Sequence, residues 1–532
     1  MKKLTLFLFA CLVSLSAFAQ SKQGDRWILG YCGGCPIPNP QNLGGMSFSF
    51  EEGQDPQINT FDIINDIFSV VTNDTAGNLL FYSTGCEVYN QNFKLMENGD
   101  GINTGDFCKT PYIGFDNLRS GSISFPVPGQ WDKYLFFHLN AQVDDKGNFK
   151  VHNLLVTTIE MSANNGMGRV TSKNELVVED SLIDAMAAVR HGNGRDWWVV
   201  VPRGTNREFW TILIGPNGIQ EKILRTLPPP YFPFNRTIKS IDPPFNSVPA
   251  DEYQYESSGG QINFSPDGRF FCRVSPLGGF IDLYRFDRCT GNFTLIRNFT
   301  MADDPLQEHL GSIMAGVAFS PNSKVLYFNN GYGLFQFSLE QNDFRTREPT
   351  FIENYDGYQE KFFYVNFFQM RNAPDGRIYM GTGNGTRYLH VIENPNELGQ
   401  ACNFRQRGIH LPKYNGWVIN YFPNFNLLDD PYGTCDTLGI NPYGSSGPPY
   451  ADFQVVNNPV VDGTIKFFVP GDSPIAQVSV YAITGQFLRR VGALSPGINH
   501  TDLSDLPNAG YLLVAQDSEG RTLATRRVVV AR

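Results

Sequence analysis

An all-β fold, a β-propeller followed by a small β-sandwich, is what the sequence predicts, on three observations. A hairpin-like unit recurs as GQINFSPDGRFFCRVS over 260–275, as GVAFSPNSKVLYFNN around Ser320-Pro321-Asn322-Ser323, and as FFQMRNAPDGRIYMGTG around Ala373-Pro374-Asp375-Gly376. The prolines of these turns, Pro266, Pro321 and Pro374, stand 55 and 53 residues apart, a period that accommodates several strands per copy and marks a propeller. Aromatic residues make up 14% of the 532-residue chain, with 52 Gly and 34 Pro, and such aromatic-rich, turn-rich chains favour sheets over helices. The final stretch, 451–532, reads as about seven short strands at the spacing of a small sandwich.

Taken in order, residues 1–19 read as a secretory signal. Lys2 and Lys3 supply the basic start, LTLFLFACLVSL the apolar stretch, and Ala17-Phe18-Ala19 a small-x-small cleavage site. The apolar run is too short to span a membrane, and no later stretch qualifies as a transmembrane segment. The propeller is expected over 20–430. DRWILGY and MSFSF are short strands ahead of the first full repeat, and FSVVTNDTAGNLLFYSTGCEVYN (68–90) is strand, turn, strand and a third short strand. SISFPVPGQWDKYLFFHLN turns at Pro128-Gly129, and DAMAAVRHGNGRDWWVVVPRG turns at Gly192-Asn193-Gly194. Apolar runs broken by Gly, Asn, Asp or Pro are hairpin signals. Six such turns fall near Gly77, Gly129, Gly194, Gly268, Ser323 and Gly376. WVINYFPNFNLLD (417–429) reads as a strand with no following partner, which the N-terminal strands would complete. A blade shared by both chain ends closes the ring and removes exposed sheet edges. That gives seven blades, or six if the terminal strands only decorate the ring. Residues 226–256, rich in Pro and aromatics, break the rhythm. Tyr231, Phe232 and Phe234 form a candidate binding loop there, the alternative being a loop packed down on its neighbours. Residues 431–450 are a Gly/Pro/Ser-rich linker.

Composition also bounds function. Lys and Arg total 42 against 52 Asp and Glu, a formal charge of −10. This argues against nucleic-acid partners, for want of a basic patch to meet phosphates. Beyond the signal, eight cysteines remain: Cys32, Cys35, Cys86, Cys108, Cys272, Cys289, Cys402 and Cys435. An even count in an exported chain points to disulfides. Sequential pairing (32–35, 86–108, 272–289, 402–435) is the simplest arrangement among the connectivities open. No nucleophile elbow, zinc-helix motif, phosphate loop or dinucleotide fingerprint is present. No cofactor or metal site is expected, and the chain is expected not to be an enzyme. His191, in a Gly-Asn-Gly loop beside Arg190 and Arg195, faces either a ligand or its own turn. Asp144 and Asp145 have calcium-like company but read as a hairpin turn.

The C-terminal unit resembles the type A C-terminal sorting domain of the type IX secretion system. The resemblance rests on Asn458-Pro459, on V-x-V-Y-x-x-x-G from Val478 to Gly485, on DLSDLPNAGYLLV with Gly510 and Tyr511, and on Arg526-Arg527 before three valines. The Leu506-to-Tyr511 spacing is one residue longer than that family's usual pattern. The F-S-P-D-G turn is similar to those of WD-type and Tol-B-type propeller repeats. The resemblance implies export to the periplasm, passage through the outer membrane by the type IX secretion machinery, and release or attachment at the cell surface. The expected function is that of a secreted or surface binding module for a glycan or protein ligand. The alternatives are a propeller hydrolase of glycans or peptides, and a structural or adhesive surface component.

Overall fold

The turns are the joints from which the ring is built. In the computed structural model each of five of them closes with an i to i+3 backbone bond of the same kind: Gly77 N to Asp74 O, Gly194 N to His191 O, Gly268 N to Ser265 O, Ser323 N to Ser320 O and Gly376 N to Ala373 O, at 2.8–3.1 Å. The sixth closes one residue later in its own numbering, from Gln130 N to Val127 O. The structure describes residues 21–531 except 32–42, 52, 62–69, 104–107, 109–120, 131, 144–148, 205–207, 227–260, 276–279, 301–315, 341–346, 417–418, 429, 431–452, 456–459, 470–474, 483–485 and 519–521. The chain divides into two compact units, 1–433 and 434–532.

The first unit holds seven antiparallel sheets of the ring. In chain order they are β1 (Arg26–Tyr31), β2 (Gly44–Ser49) and β3 (Gln57–Phe61); β4 (Val70–Asn73), β5 (Leu79–Ser83) and β6 (Val88–Asn90); and β7 (Ser122–Pro126), β8 (Lys133–Val143), β9 (Phe149–Glu160) and β10 (Arg169–Leu182). Then come β11 (Ala187–Arg190), β12 (Trp197–Pro202), β13 (Glu208–Gly215) and β14 (Gly218–Thr226), followed by β15 (Ile262–Phe264), β16 (Phe270–Ser275), β17 (Phe280–Asp287) and β18 (Asn292–Thr300). The ring ends with β19 (Gly316–Phe319), β20 (Val325–Asn329), β21 (Gly333–Ser338) and β22 (Thr350–Asn354), a small hairpin of β23 (Gln359–Glu360) and β24 (Phe363–Tyr364), and β25 (Phe367–Asn372), β26 (Ile378–Thr382), β27 (Thr386–Ile392) and β28 (Phe404–Asn415).

Among the described residues, apolar clusters lie between every pair of neighbouring sheets, and they close on themselves. Ile28 meets Val71 and Tyr82; Phe81 meets Tyr134 and Phe136; Phe125 and Phe137 meet Trp197 and Ile212. Phe209 meets Phe271 and Tyr284, Leu283 meets Val317 and Phe319, and Tyr327 meets Met370 and Met380. Tyr379, Leu389 and Ile409 of the last sheet then meet Trp27, Leu29 and Phe48 of the first. Because both faces of every blade are packed, the strands read as apolar runs more than as strict alternation. This is a seven-bladed β-propeller, with β4, β7, β11, β15, β19 and β25 as inner strands at the sheet edges.

The closing blade departs from expectation in its detail. Residues 419–424 form no regular strand. The chain instead lies along β1, with Gly416 N donating to Gly30 O at 3.0 Å and Ile28 N donating to Asn420 Oδ1 at 2.8 Å. A side-chain amide thus replaces a ladder carbonyl, and Pro423 has no N–H with which to extend the pairing. The strands β1, β2 and β3 are the second to fourth of this blade, and the C-terminal segment takes the innermost place.

The second unit contains β29 (Gln454–Val455), β30 (Thr464–Val469), β31 (Gln477–Ala482), β32 (Phe487–Arg490), β33 (Gly497–Asp502), β34 (Ala509–Gln516) and β35 (Thr522–Val530). A sheet ordered β29-β30-β33 faces one ordered β32-β31-β34-β35 across Phe453, Phe467, Val480, Leu513 and Val528, which makes a β-sandwich. Its strands do alternate, as in β30 with Ile465, Phe467 and Val469 buried.

Disulfide pairing is corrected by the structure. Cys86 and Cys108 are bonded as expected. Cys272 and Cys402 are buried free thiols, so the 272–289 and 402–435 pairs do not form. Cys289 is disulfide-bonded elsewhere. The reason is positional: Cys272 packs within the cluster between the fifth and sixth blades, whereas Cys289 lies in the turn after β17 on the outer side of the previous interface, its carbonyl bound by His191. Cys32, Cys35 and Cys435 lie outside the described residues.

Candidate functional site: the axial channel

A propeller's inner strands present unpaired backbone groups to the central channel. In this chain those groups are taken up by particular side chains. Gln261, just ahead of β15, accepts from Val317 N and Met370 N at 3.1 Å each through Oε1, and donates to Met370 O at 2.6 Å through Nε2. One amide therefore links the inner strands of two further blades. Asn263 donates to Val317 O at 3.3 Å.

The chain end closes one mouth. After Asn420, Tyr421 reaches from the first blade to the fourth, its hydroxyl 3.3 Å from Ala188 N and 3.2 Å from Ala188 O. These are the channel-edge groups of β11, and the hydroxyl accepts from one and donates to the other. The segment then crosses the face carrying the six turns. Asn424 donates to Pro266 O at 2.7 Å, Leu427 packs over Gly268, Arg288 donates to Leu428 O and Asp430 N donates to Gly192 O at 2.7 Å. Asn426 is bonded in both directions to the backbone of Ser21, which ties the two ends of the ring unit together.

On the floor so formed stands Arg371. It lies on β25, two residues before the turn that begins at Ala373, the position filled by Thr72, Asn263 and Ala318 in the turns at Asp74, Ser265 and Ser320. Its guanidinium stacks on Tyr421, with Cζ 4.7 Å from the ring centroid. The side chain is 4% exposed, and Nε and Nη1 have no hydrogen-bond partner. Burial pulls its pKa down to about 10, opposed by the Tyr421 phenol, while burial pushes that phenol up to about 12. Asn420 Nδ2 and the hydroxyls of Thr72 and Ser124 are likewise buried without partners.

The residues singled out from sequence fall elsewhere. Tyr231, Phe232 and Phe234 lie outside the described residues, as do Asn458, Pro459, Gly485 and the turn at Asp144-Asp145. His191 is buried in its turn, with Nε2 bonded to Cys289 O at 3.0 Å and Nδ1 accepting from Asn193 N at 3.1 Å, so it serves the turn. In the second unit, Gly510 and Tyr511 are the second and third residues of β34, and Tyr511 donates to Pro507 O at 2.8 Å. The Leu-Pro-Asn-Ala-Gly-Tyr run is thereby a hydrogen-bonded corner. Arg526 sits on β35 opposite Leu513. Sequence reading missed Arg371. Aligning the repeats on their turns would have found it, since a lone cation then stands where the other copies carry Thr72, Phe125, Val189, Asn263 and Ala318. No group of three or more potential metal ligands occurs among the described residues, and no described helix is long and apolar enough to cross a membrane.

No protein-family model and no curated protein matches the chain. Solved structures do match. The periplasmic gluconolactonase of Pseudomonas aeruginosa is similar over 75% of this chain and 99% of its own, at 12% identity and a TM-score of 0.41. A putative 6-phosphogluconolactonase of Bacteroides fragilis covers 73% of this chain and 96% of its own, at 13% identity and 0.38. PorZ, a surface component of the type IX secretion system of Porphyromonas gingivalis, covers 92% of this chain and 63% of its own, at 12% identity and 0.36. The expectation of a non-enzyme is corrected at this point. Several of the matched structures are named as gluconolactonase or 6-phosphogluconolactonase.

Proposed function

We propose that this chain is an exported propeller protein, carried to the cell surface or medium by the type IX machinery on its C-terminal sandwich, and that the propeller holds a ligand in its axial channel. One observation carries the channel reading: the segment from Tyr421 to Asp430 closes the turn-side mouth and gives the channel a floor of one aromatic ring and one cation. A closed concavity with a few convergent polar groups is the usual form of a small-ligand site. The sandwich reading is supported by a separate unit with its own core and by the corner that the Gly510-Tyr511 motif builds.

Delivery is tested by expressing the full chain and one ending at Gly433 in a bacterium with a type IX system. The full chain is expected in the medium or outer-membrane fraction and the shortened one in the periplasm. Equal export of both contradicts the role given to the sandwich. Ligand holding is tested by thermal shift of the mature protein against panels of glycans, peptides and sugar lactones, beside Tyr421→Ala. Hits lost in the variant support the channel, and hits retained at full strength place the ligand elsewhere.

A further inference from the structure

Arg371 is a formal charge to which no described residue offers a counter-charge. A buried ion without a partner is costly relative to water, and folded chains ordinarily pair it. The Tyr421 ring recovers only part of that, since a cation over an aromatic face gains less than a paired carboxylate would supply. Among the described residues no carboxylate stands at the guanidinium, although elsewhere in the ring a buried arginine does have one: Arg273 meets Asp282 at 2.6 Å, and the half-buried Arg387 meets Glu360 at 2.7 Å. The fold can therefore pair a buried arginine, and at the channel floor it does not. The residue before Tyr421, Asn420, adds a buried Nδ2 donor without an acceptor. Its Oδ1 is fixed by Ile28 N, so its amide orientation is set.

We infer that the channel floor is an anion site, in which Arg371 binds a carboxylate group of a small ligand, backed by Tyr421. Single charge decides the class. One guanidinium is neutralised by one carboxylate, whereas a phosphate dianion would leave a net negative charge in a poorly solvated place. This deepens the channel reading above and depends on it.

The test uses the mature full-length protein, with acetate as the probe and chloride at matched ionic strength as the control. Acetate raises the melting temperature of the wild type by roughly 1–2 °C or more, as binding to the folded state requires. Arg371→Met abolishes this rise, and without acetate it melts no lower than the wild type, because it removes an unpaired buried charge. Arg371→Lys keeps a reduced response. Three results overturn the inference: no acetate-specific rise in the wild type, a rise retained in Arg371→Met, or inorganic phosphate stabilising as strongly as acetate. If ligands from the panel depend on Tyr421 while acetate has no effect, the channel reading stands and the carboxylate assignment falls. If neither depends on the floor, both fall.

Discussion

Two histidines give the molecule its clearest single-residue signature. His138 is enclosed with its ring nitrogens 2.7 Å from Asn103 Oδ1 and 3.0 Å from Thr157 Oγ1. His390 packs among Phe367 and Phe404, with Nδ1 accepting from Arg407 N. Burial pushes both imidazoles down from 6.5 to about 3. The unfolded chain takes up a proton below about pH 6.5 that the folded chain refuses, so stability is full above that value and falls as pH drops through it. By pH 4.5 the loss is on the order of 2–3 kcal/mol per histidine. Denaturant unfolding at pH 7 and pH 4.5 checks this: His138→Gln is expected to show a shallower loss than the wild type, and equal losses would contradict it. Neither histidine could be assigned from sequence. An isolated His in FFHLN or LHVIEN carries no sign of what encloses it. The same holds for the cysteines, since pairing depends on which blade interface each sulfur enters and not on order along the chain.

At the scale of the element, the turns were the most legible feature, because their chemistry is local. Ser265 Oγ donates to Asp267 Oδ1 at 2.6 Å and accepts from Phe270 N at 2.9 Å. Ser320 repeats both bonds with Asn322 Oδ1 and Val325 N at 2.6 and 2.9 Å. A serine, a short acceptor two residues on and a residue of positive φ are all the device needs. Strands farther from the turns were harder to read. β10 is 14 residues long, largely exposed and shifted in register several times against β9, so it shows no period. The turns differ in what lies over them. Gly268 has φ +72°, and an added Cβ would meet Arg288 Cδ at 2.7 Å and Leu427 Cδ2 at 2.9 Å. Gly376 has φ +81° and nothing within 4 Å. Gly376→Ala is expected to cost about 1–2 kcal/mol from backbone strain alone. Gly268→Ala should cost more, because it also displaces the closing segment. Unfolding measurements that rank the two equally would mean that the segment does not press on that turn.

At the scale of the whole molecule, the ring is a sheet system whose two ends meet in one blade, and its closure depends on a short irregular segment. Sequence reading placed the two chain ends together from their unpaired strands. It did not foresee that side chains would do the joining, because Asn420, Tyr421 and Asn424 bond to backbone groups 392, 233 and 158 residues away. The same segment that completes the first blade floors the channel, so closure and the candidate site share their residues. Hydrogen exchange of the full-length protein beside the Asn420→Ala/Tyr421→Ala double variant tests this most directly. The account predicts that β1, β11 and the turn at Gly192 lose protection together while β16–β21 keep theirs. Unchanged protection in β1 and β11 would contradict it, because the ring would then be closed by something other than this segment.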